Sequence, residues 1–469
     1  MSPSVAMTVD GKPAYGTGTR PVIDPATGEV FAEVPDCDRD TLDEAVAAST
    51  RAFPSWSADL DARRAALLSA SQVLKDNLAE LQSLLTAEQG KPLADAKIEV
   101  LGSARWLKTF ANLALPRRVI QDDERALVEL LRRPVGPTAA ITAWNFPLTL
   151  MCWKIGPALL AGCTVTVKPS PYTPLTTLRF GELLREVLPP GVLNVISGGA
   201  ELGAWLTAHD GIRKISFTGS TPTGKRVLSG SADDLKRVTL ELGGNDAAIV
   251  LDDVDLDDVG DDLFWGAFGN CGQICAAVKR VYAPRSRYDA VVEALASRAR
   301  EVVVGPGAED GVKIGPLNNA AQRDKVAELV SEAVAAGARA AAGGGRLDRP
   351  GFFFAPTVLA DARAGMRIVD EEQFGPALPV IAYDDVEDAI AAANGTDYGL
   401  GGSVWSADLD HAEAIARRLE AGTCWVNTHT MLAPLQPFGG LKWSGLGVEN
   451  GVWGVDAFTD VQVIHRPPR

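Results

Sequence analysis

Histidine is scarce in this 469-residue chain: there are four, at positions 209, 411, 429 and 465. Cys271 and Cys275 could share a helix face as a metal pair, but no histidine lies near them in sequence, so no metal site is expected. The six cysteines, at 37, 152, 163, 271, 275 and 424, are scattered and show no disulfide-framework spacing, which suits a reducing cytoplasm. Positive charge is also short. Lys and Arg number 45 against 60 Asp and Glu, for a net charge of −15. That disfavours nucleic acid and anionic membrane surfaces as partners, since both require a basic face. There is no run of 18 apolar residues, hence no expected membrane span. The opening MSPSVAMTVDGKPAYG lacks a basic stretch followed by an apolar one, so no signal peptide is expected. Fixed-period repeats and low-complexity segments are absent too.

What is present is an ordinary globular balance over a length that calls for two or three domains. Residues 20–34 read as two short strands around an Asp-Pro-Ala-Thr-Gly turn. Asp40 is then placed to cap a helix from Thr41 to about Phe53, with Glu44 near a capping-box position. Apolar residues at three- and four-residue spacing predict helices Asp61–Asn77, Leu78–Gln89 and Pro92–Ala111, a block expected to cover a sheet made later in the chain. Residues 115–133 are polar and loosely alternating: an exposed hairpin, either a subunit contact or a solvated edge.

From 134 onward short apolar runs alternate with helices. Strands are expected at 138–143, 163–168, 192–197, 213–217 and 237–242, which predicts a parallel, doubly wound sheet with ligands beyond its carboxyl edge. A second α/β region follows, with helix Gln322–Ala336 closed by Gly337, strands 353–359, 377–383 and 402–406, and helix Val386–Asn394. The tail, 456–469, ends in an alternating strand that could pair with the 115–133 ribbon or with a neighbouring subunit.

Chemistry concentrates in a few stretches. FGNCGQICAAVKR (268–280) offers two thiols. Gly269 and Gly272 permit close approach and strained turns, and the AAV run would seat Cys275 on a buried helix start or strand edge, where a helix N-terminus favours thiolate. The alternative is a packing cysteine. FTGSTPTGKR (217–226) feeds a helix from a glycine turn and predicts a phosphate contact at Gly219 and Ser220, or simply a tight turn. It approaches a P-loop but has Arg226 where the magnesium-binding hydroxyl belongs. Glu241 in LELGG could be a cleft-facing general base or a solvated strand end. Asn145 in TAWNFPLTL could donate to an oxyanion or cap a helix. Lys168, ending CTVTVK, could bind ribose or phosphate, or be a surface lysine.

Taken together these residues come in the order and spacing of one family. Through WNFP (144–147), KPSPYTPL (168–175), FTGST (217–221), LELGG (240–244), GNCGQIC (269–275), EEQFGP (371–376) and PFGGLKWSGLG (437–447), the chain resembles an NAD(P)-dependent aldehyde dehydrogenase over nearly its full length. The resemblance implies a Rossmann-like cofactor domain (1–114 and 134–243), a second α/β catalytic domain (244–440), and a small β oligomerisation ribbon (115–133 and 457–469), in a cytoplasmic homodimer or homotetramer. It implies Cys275 as nucleophile, Asn145 and the Cys275 N–H as oxyanion donors, and Glu241 as the base for thioester hydrolysis. Trp144, Lys168, Ser170, Gly198, Gly199, Phe217, Gly219, Ser220, Leu242, Glu372 and Phe374 would surround NAD, with NADP possible. Cys271 is a packing neighbour or a partner in oxidation.

One departure bears on the cofactor. Many NAD-preferring relatives carry a glutamate three residues after the cofactor lysine; here that position is Pro171, which removes a repulsion against a 2′-phosphate, while no arginine is evident nearby in sequence to reward it. The substrate pocket would use Phe146, Leu150, Trp153, Phe268, Ile274 and Phe438 with the loop 428–436. Mostly apolar, they suggest a medium-chain or aromatic aldehyde. Rival readings are a CoA-acylating relative, which generally lacks the base at Glu241, and a phosphate-binding NTPase built on 219–225.

Overall fold

Alternation of buried strands and crossover helices builds two sheets that meet where the chain passes from Glu241 to Asp246. The structure, a computed structural model, describes residues 5–468. Residues 1–4 and 469, parts of the segments read above as leaderless start and ribbon end, lie outside the described residues.

The first sheet has eight strands in the order Lys12–Ala14, Met7–Val9, Leu193–Val195, Val165–Lys168, Thr138–Ile141, Lys214–Thr218, Arg237–Glu241 and Gly445–Leu446. The five central strands are parallel. The chain enters at Thr138, winds outward one way to Leu193, then returns to Lys214 on the other side. The order therefore reverses between 138–141 and 214–218, the place where doubly wound sheets bind ligands. Strands 138–141, 165–168 and 214–218 are buried throughout, as expected when helices cover both faces.

The second sheet runs Arg339–Ala342, Thr357–Ala360, Ala377–Tyr383, Val278–Pro284, Asp246–Val250, Gly401–Trp405 and Thr423–Val426. All its pairs are parallel except the first. Each sheet has its own apolar core: one around Leu42, Phe110, Phe180 and Ile215, the other around Phe264, Phe268, Phe354 and Val380. A third, antiparallel sheet projects from them, with Thr459–Arg466 paired to Leu127–Pro134 and that strand to Arg118–Asp122. The tail thus pairs with the ribbon of its own chain. No helix among the described residues is long and apolar enough to cross a membrane.

Local expectations held in kind more than in boundary. Helices Leu60–Asp76, Leu78–Gln89, Leu93–Ala111 and Val386–Asn394 form where periodicity put them. The first helix is different. It spans Arg39–Ala58, and its cap is Asp38, whose carboxylate accepts from Thr41 N–H at 2.8 Å, so Asp40 lies inside the first turn. The helix also runs through Pro54. The strand expected at 353–359 begins only at Thr357, because Phe353 and Phe354 are spent on the core and on one isolated bridge to Arg346.

Candidate active site

Cys275 stands in a turn three residues before the strand Val278–Pro284, not at a helix N-terminus. The expected helix-dipole help is therefore missing. Burial, then the carboxylate of Glu241, push its thiol up to about 12, while Lys279 opposes them. The side chain is nonetheless half-buried, whereas Cys271 is sealed in the second core. Strain is stored just upstream: Asn270 (φ 50°) and Cys271 (φ 59°) adopt left-handed backbone, followed by Gly272 at φ 69°. Only Gly272 takes that conformation without cost, so the surrounding packing must hold the other two.

Asn145 comes from the first sheet's side. It does not cap the helix Pro147–Ala161; Phe146 holds that position without a side-chain bond. Its amide instead donates to the carbonyl of Gln273, two residues before Cys275, at 3.0 Å. Behind it, Lys91 donates to the Asn145 carbonyl at 3.0 Å and pairs with buried Glu99 at 2.6 Å. Glu99 in turn accepts from Leu148 and Thr149 N–H at 3.0 and 3.3 Å, so it serves as that helix's N-terminal acceptor. Sequence reasoning missed this support because Lys91 and Glu99 lie on a separate helical hairpin.

Glu241 ends its strand in the buried interior, which removes the solvated reading. Neither carboxylate oxygen has a hydrogen-bond partner among the described residues. Desolvation, reinforced by nearby Glu449 and opposed by Lys154, raises its carboxyl well above the usual 4.5. Lys154 and Glu449 form a wholly buried pair at 2.6 Å, and Ser216 donates to the same Glu449 oxygen at 2.9 Å. Nothing in sequence joins residues 154, 216, 241 and 449; the first sheet does.

The cofactor candidates gather along the same edge. Glu372 reaches across from the second lobe and accepts from Gly244 N–H at 3.0 Å. It approaches so closely that a Cβ at Gly243 would overlap its carboxylate. Leu242 is buried beside it and donates its N–H to the Ser444 carbonyl. Trp144 and Phe374 meet edge to face at 5.3 Å. Phe217 lies under Gly219, and Ser220 is the N-cap residue of helix Thr221–Gly230. Lys225, which a P-loop would need over a phosphate, instead places its ammonium 3.3 Å from the Trp443 ring centroid.

Lys168 is buried rather than on the surface, and desolvation, then Arg20, lower it to about 8. Ser170 closes its own turn by accepting from Tyr172 N–H. Gly198 and Gly199 precede helix Ala200–Ala208. A Cβ on Gly199 would lie 3.2 Å from the Arg20 guanidinium, which itself pairs with Asp36 at 3.0 Å. Arg20, far off in sequence, thus lies beside the 198–199 loop and close enough to Lys168 to act on its charge. Buried Lys168, the Gly219–Ser220 helix start, the Gly198–Gly199 loop and the Trp144–Phe374 rings are groups of the kinds that contact dinucleotides in doubly wound sheets.

Of the pocket candidates, Trp153 and Phe438 cluster with Ala276, Leu400 and Trp425 against Cys275. Trp153 lies between Trp106 and Phe438, 5.6 Å from each ring. Phe146 lies under the Lys91 ammonium, Ile274 flanks Gly269, and Leu150 is buried on the same helix. Phe268 does not belong with them. It is fully buried and stacks on Phe264 at 4.6 Å inside the second core, because a helix ending in the lobe interior turns it inward.

Comparison with known proteins agrees with this geometry. The profile of the Aldehyde dehydrogenase family matches residues 14–464. Succinate-semialdehyde dehydrogenase (NADP+) of Escherichia coli strain K12 is 38% identical over 451 residues, covering 94% of this chain and 93% of that protein. Betaine aldehyde dehydrogenase of Cereibacter sphaeroides is 38% identical over 472 residues, covering 99% and 97%. Among solved structures, an NAD+ complex of aldehyde dehydrogenase from Bacillus cereus superimposes with a TM-score of 0.97 at 34% identity, covering 99% and 97%. The chain belongs to the aldehyde dehydrogenase family, with that family's fold and its NAD(P)-linked oxidation of an aldehyde.

Proposed function

We propose that Cys275 attacks the aldehyde carbonyl, with Asn145 and the Cys275 N–H stabilising the oxyanion and Glu241 serving as base. The observation that carries this reading is the convergence of a half-buried thiol, an amide held at 3.0 Å to the carbonyl of Gln273, and a desolvated, unbonded carboxylate near enough to raise the thiol. The thiol's proton leaves to solvent as the sulfur attacks, and the raised Glu241 carboxylate is kept for the later water step. A thiohemiacetal on Cys275 follows. A nicotinamide cofactor held by the residues named below would supply the hydride acceptor that takes the adduct on Cys275 to the thioester level. Glu241 then takes a proton from water as it attacks the thioester carbon; the C–S bond breaks, that proton passes to the Cys275 sulfur, and the acid departs. A filled base position favours hydrolysis over transfer to coenzyme A.

Lys168, Ser170, Gly198, Gly199, Phe217, Gly219, Ser220, Leu242, Trp144, Glu372 and Phe374 are proposed to hold the cofactor. NAD is the preferred form. Pro171 and the position of Arg20 beside Lys168 support NADP as an accepted second form. The substrate reading is a medium-chain or aromatic aldehyde, supported by the rings of Trp106, Trp153 and Phe438 next to Cys275. Those rings also favour a second reading, an aldehyde bearing a quaternary ammonium, because aromatic faces attract cations.

A panel of aliphatic, aromatic, quaternary-ammonium and carboxylate-bearing aldehydes, run with each cofactor and followed by nicotinamide absorbance, tests substrate and cofactor together. A preference for the carboxylate-bearing aldehyde would overturn the apolar reading. For the mechanism, Cys275→Ala is expected to abolish oxidation while cofactor still binds. Glu241→Gln is expected to keep a burst of reduced cofactor and lose steady turnover by about 10²-fold or more.

A further inference from the structure

The first sheet sets where the adenosine half of a dinucleotide should lie. Outward from the switch point, the strands Thr138–Ile141, Val165–Lys168 and Leu193–Val195 run side by side in chain order. In doubly wound sheets of this order the carboxyl end of the second strand meets the adenosine ribose, with a carboxylate for a 2′-hydroxyl or an arginine nearby for a 2′-phosphate. Here that strand ends on Lys168, and the loop after it carries Pro171 and no acid. The loop after the third strand is fastened to the N-terminal hairpin of Gly18–Asp24 and Glu29–Asp36. Cys37 N–H donates to the Ser197 carbonyl at 2.9 Å, and Ser197 Oγ donates to the Pro35 carbonyl at 2.5 Å. That joint brings Arg20 and Asp36 onto the 198–199 loop. Cβ atoms at Gly199 and Gly198 would lie 3.2 Å from the Arg20 guanidinium and 3.2 Å from Asp36 Oδ1.

Gly199 and Gly203 are one helical turn apart, and Gly203 N–H donates to the Gly199 carbonyl at 3.4 Å. A Cβ on Gly203 would lie 3.8 Å from Lys168 Cε. The guanidinium and the lysine stem therefore pack on neighbouring positions of one helix face, at the end where backbone N–H groups lack helical partners. Two cations this close repel each other. One carboxylate, Asp36, pairs with Arg20 and also acts on Lys168. Lys168 is 4% exposed and makes one hydrogen bond, to the Pro169 carbonyl at 3.2 Å. Arg20 also makes one, from Nη1 to Asp36 Oδ2 at 3.0 Å; Nη2, the atom closest to a Cβ at Gly199, makes none among the described residues. The Arg20 and Asp36 side chains are 40% and 35% exposed, and so open an ion pair holds its partners weakly. A phosphate brings about two charges and three acceptor oxygens, and it matches the guanidinium fork better than a single carboxylate oxygen does.

We propose that Arg20 and Lys168 form a two-cation seat for the 2′-phosphate of an adenosine ribose, and that Asp36 occupies Arg20 until that phosphate arrives. Arg20 is then the residue that lets this chain accept a 2′-phosphorylated dinucleotide, and Pro171 leaves no second carboxylate to repel it. A 2′-hydroxyl brings no charge to the seat, so the unphosphorylated cofactor gains nothing from Arg20. The inference rests on the reading that Lys168 and the 198–199 loop hold the cofactor. It goes further by naming the side chain that discriminates between the cofactor's two forms.

The test is equilibrium binding of two fragments, 2′,5′-ADP and 5′-AMP, to the full-length protein by titration calorimetry with no aldehyde present. The fragments differ by the 2′-phosphate alone. Arg20→Met is expected to weaken 2′,5′-ADP by about tenfold or more, the size of a lost hydrogen bond between charged groups, and to leave 5′-AMP within about twofold of the parent. The retained 5′-AMP affinity also shows that the variant is folded. Arg20→Lys, which keeps the charge without the fork, should fall between the parent and Arg20→Met for 2′,5′-ADP. Asp36→Asn should bind 2′,5′-ADP about threefold tighter, the modest worth of an exposed ion pair; unchanged or weaker binding would overturn Asp36 as the competitor. An Arg20→Met variant that weakens both fragments equally, or that keeps 2′,5′-ADP within about twofold of the parent, would overturn the inference. A parent that binds 5′-AMP and refuses 2′,5′-ADP would overturn the seat alone. A parent that binds neither fragment would remove the cofactor reading of this edge, and the seat with it.

Discussion

At the scale of single residues, this site is governed by desolvation. Glu241 is placed where its charged form is disfavoured, so its carboxyl is raised well above 4.5. Its linkage to stability has a definite sign. The folded state holds a proton that the unfolded chain has released, so folding stability declines as pH rises above about the unfolded value of 4.5 and toward the raised folded value. Glu241→Gln removes that decline. The variant's thermal midpoint should exceed the parent's by a margin that grows from pH 5 to pH 8; a constant margin would contradict the assignment. Lys168 carries the opposite perturbation. Lowered to about 8, it loses its charge as pH rises through that value. Cofactor KM should therefore climb above pH 8, and Lys168→Met should be weak and flat across the same range. A parent KM independent of pH from 7 to 9 would remove Lys168 from cofactor binding.

Whole elements explain why these residues converge. The helix Pro147–Ala161 is apolar on all sides because it is buried on all sides, between the first sheet and the helix Leu93–Ala111. Its Gly156 lets the two helices close: a Cβ there would stand 2.5 Å from the Phe110 ring. Helix propensity alone says Gly156→Ala should stabilise by up to about 1 kcal/mol. Phe110 is 1% exposed and has no room to yield, and overpacking of this kind costs about 1–3 kcal/mol. Net destabilisation of about 1–2 kcal/mol in denaturant midpoints is expected, and a stabilised variant would show that the helices can separate freely. The same helix carries Lys154, whose buried pair with Glu449 fastens the segment after Ser444 to the first sheet. That linkage puts a residue from the chain's last twenty or so positions behind Glu241.

At the scale of the molecule, the projecting sheet is the feature a single chain leaves unused. Its edge strand Thr459–Arg466 is exposed along most of its length, including Val461, Val463 and Ile464, and Val119 and Ile120 on the opposite edge strand are exposed as well. An edge strand with apolar side chains invites a second copy, as the sequence resemblance implied. Val461→Asp with Val463→Asp should yield a smaller species in sedimentation. An unchanged mass, or a parent that is already monomeric, would discard that use of the ribbon.

Read by itself, the sequence was sufficient for the α/β class, for most helices and strands, and for the family, because buried periodicity and short glycine-bearing motifs are local signals. It offered Cys275, Glu241, Asn145 and Lys168 as candidates for the same reason: Glu241 and Lys168 each end a strand, and Asn145 and Cys275 lie in short motifs within four residues of one. The environments of those residues were not local and could not be read. That Lys168 is buried next to Arg20, that Glu241 stands before Lys154 and Glu449, and that Phe268 turns into the core all follow from strands far apart in the chain lying side by side. A pattern of residue types records which face of an element is apolar; only tertiary packing decides which charges share a dry interior, and that decision sets the chemistry.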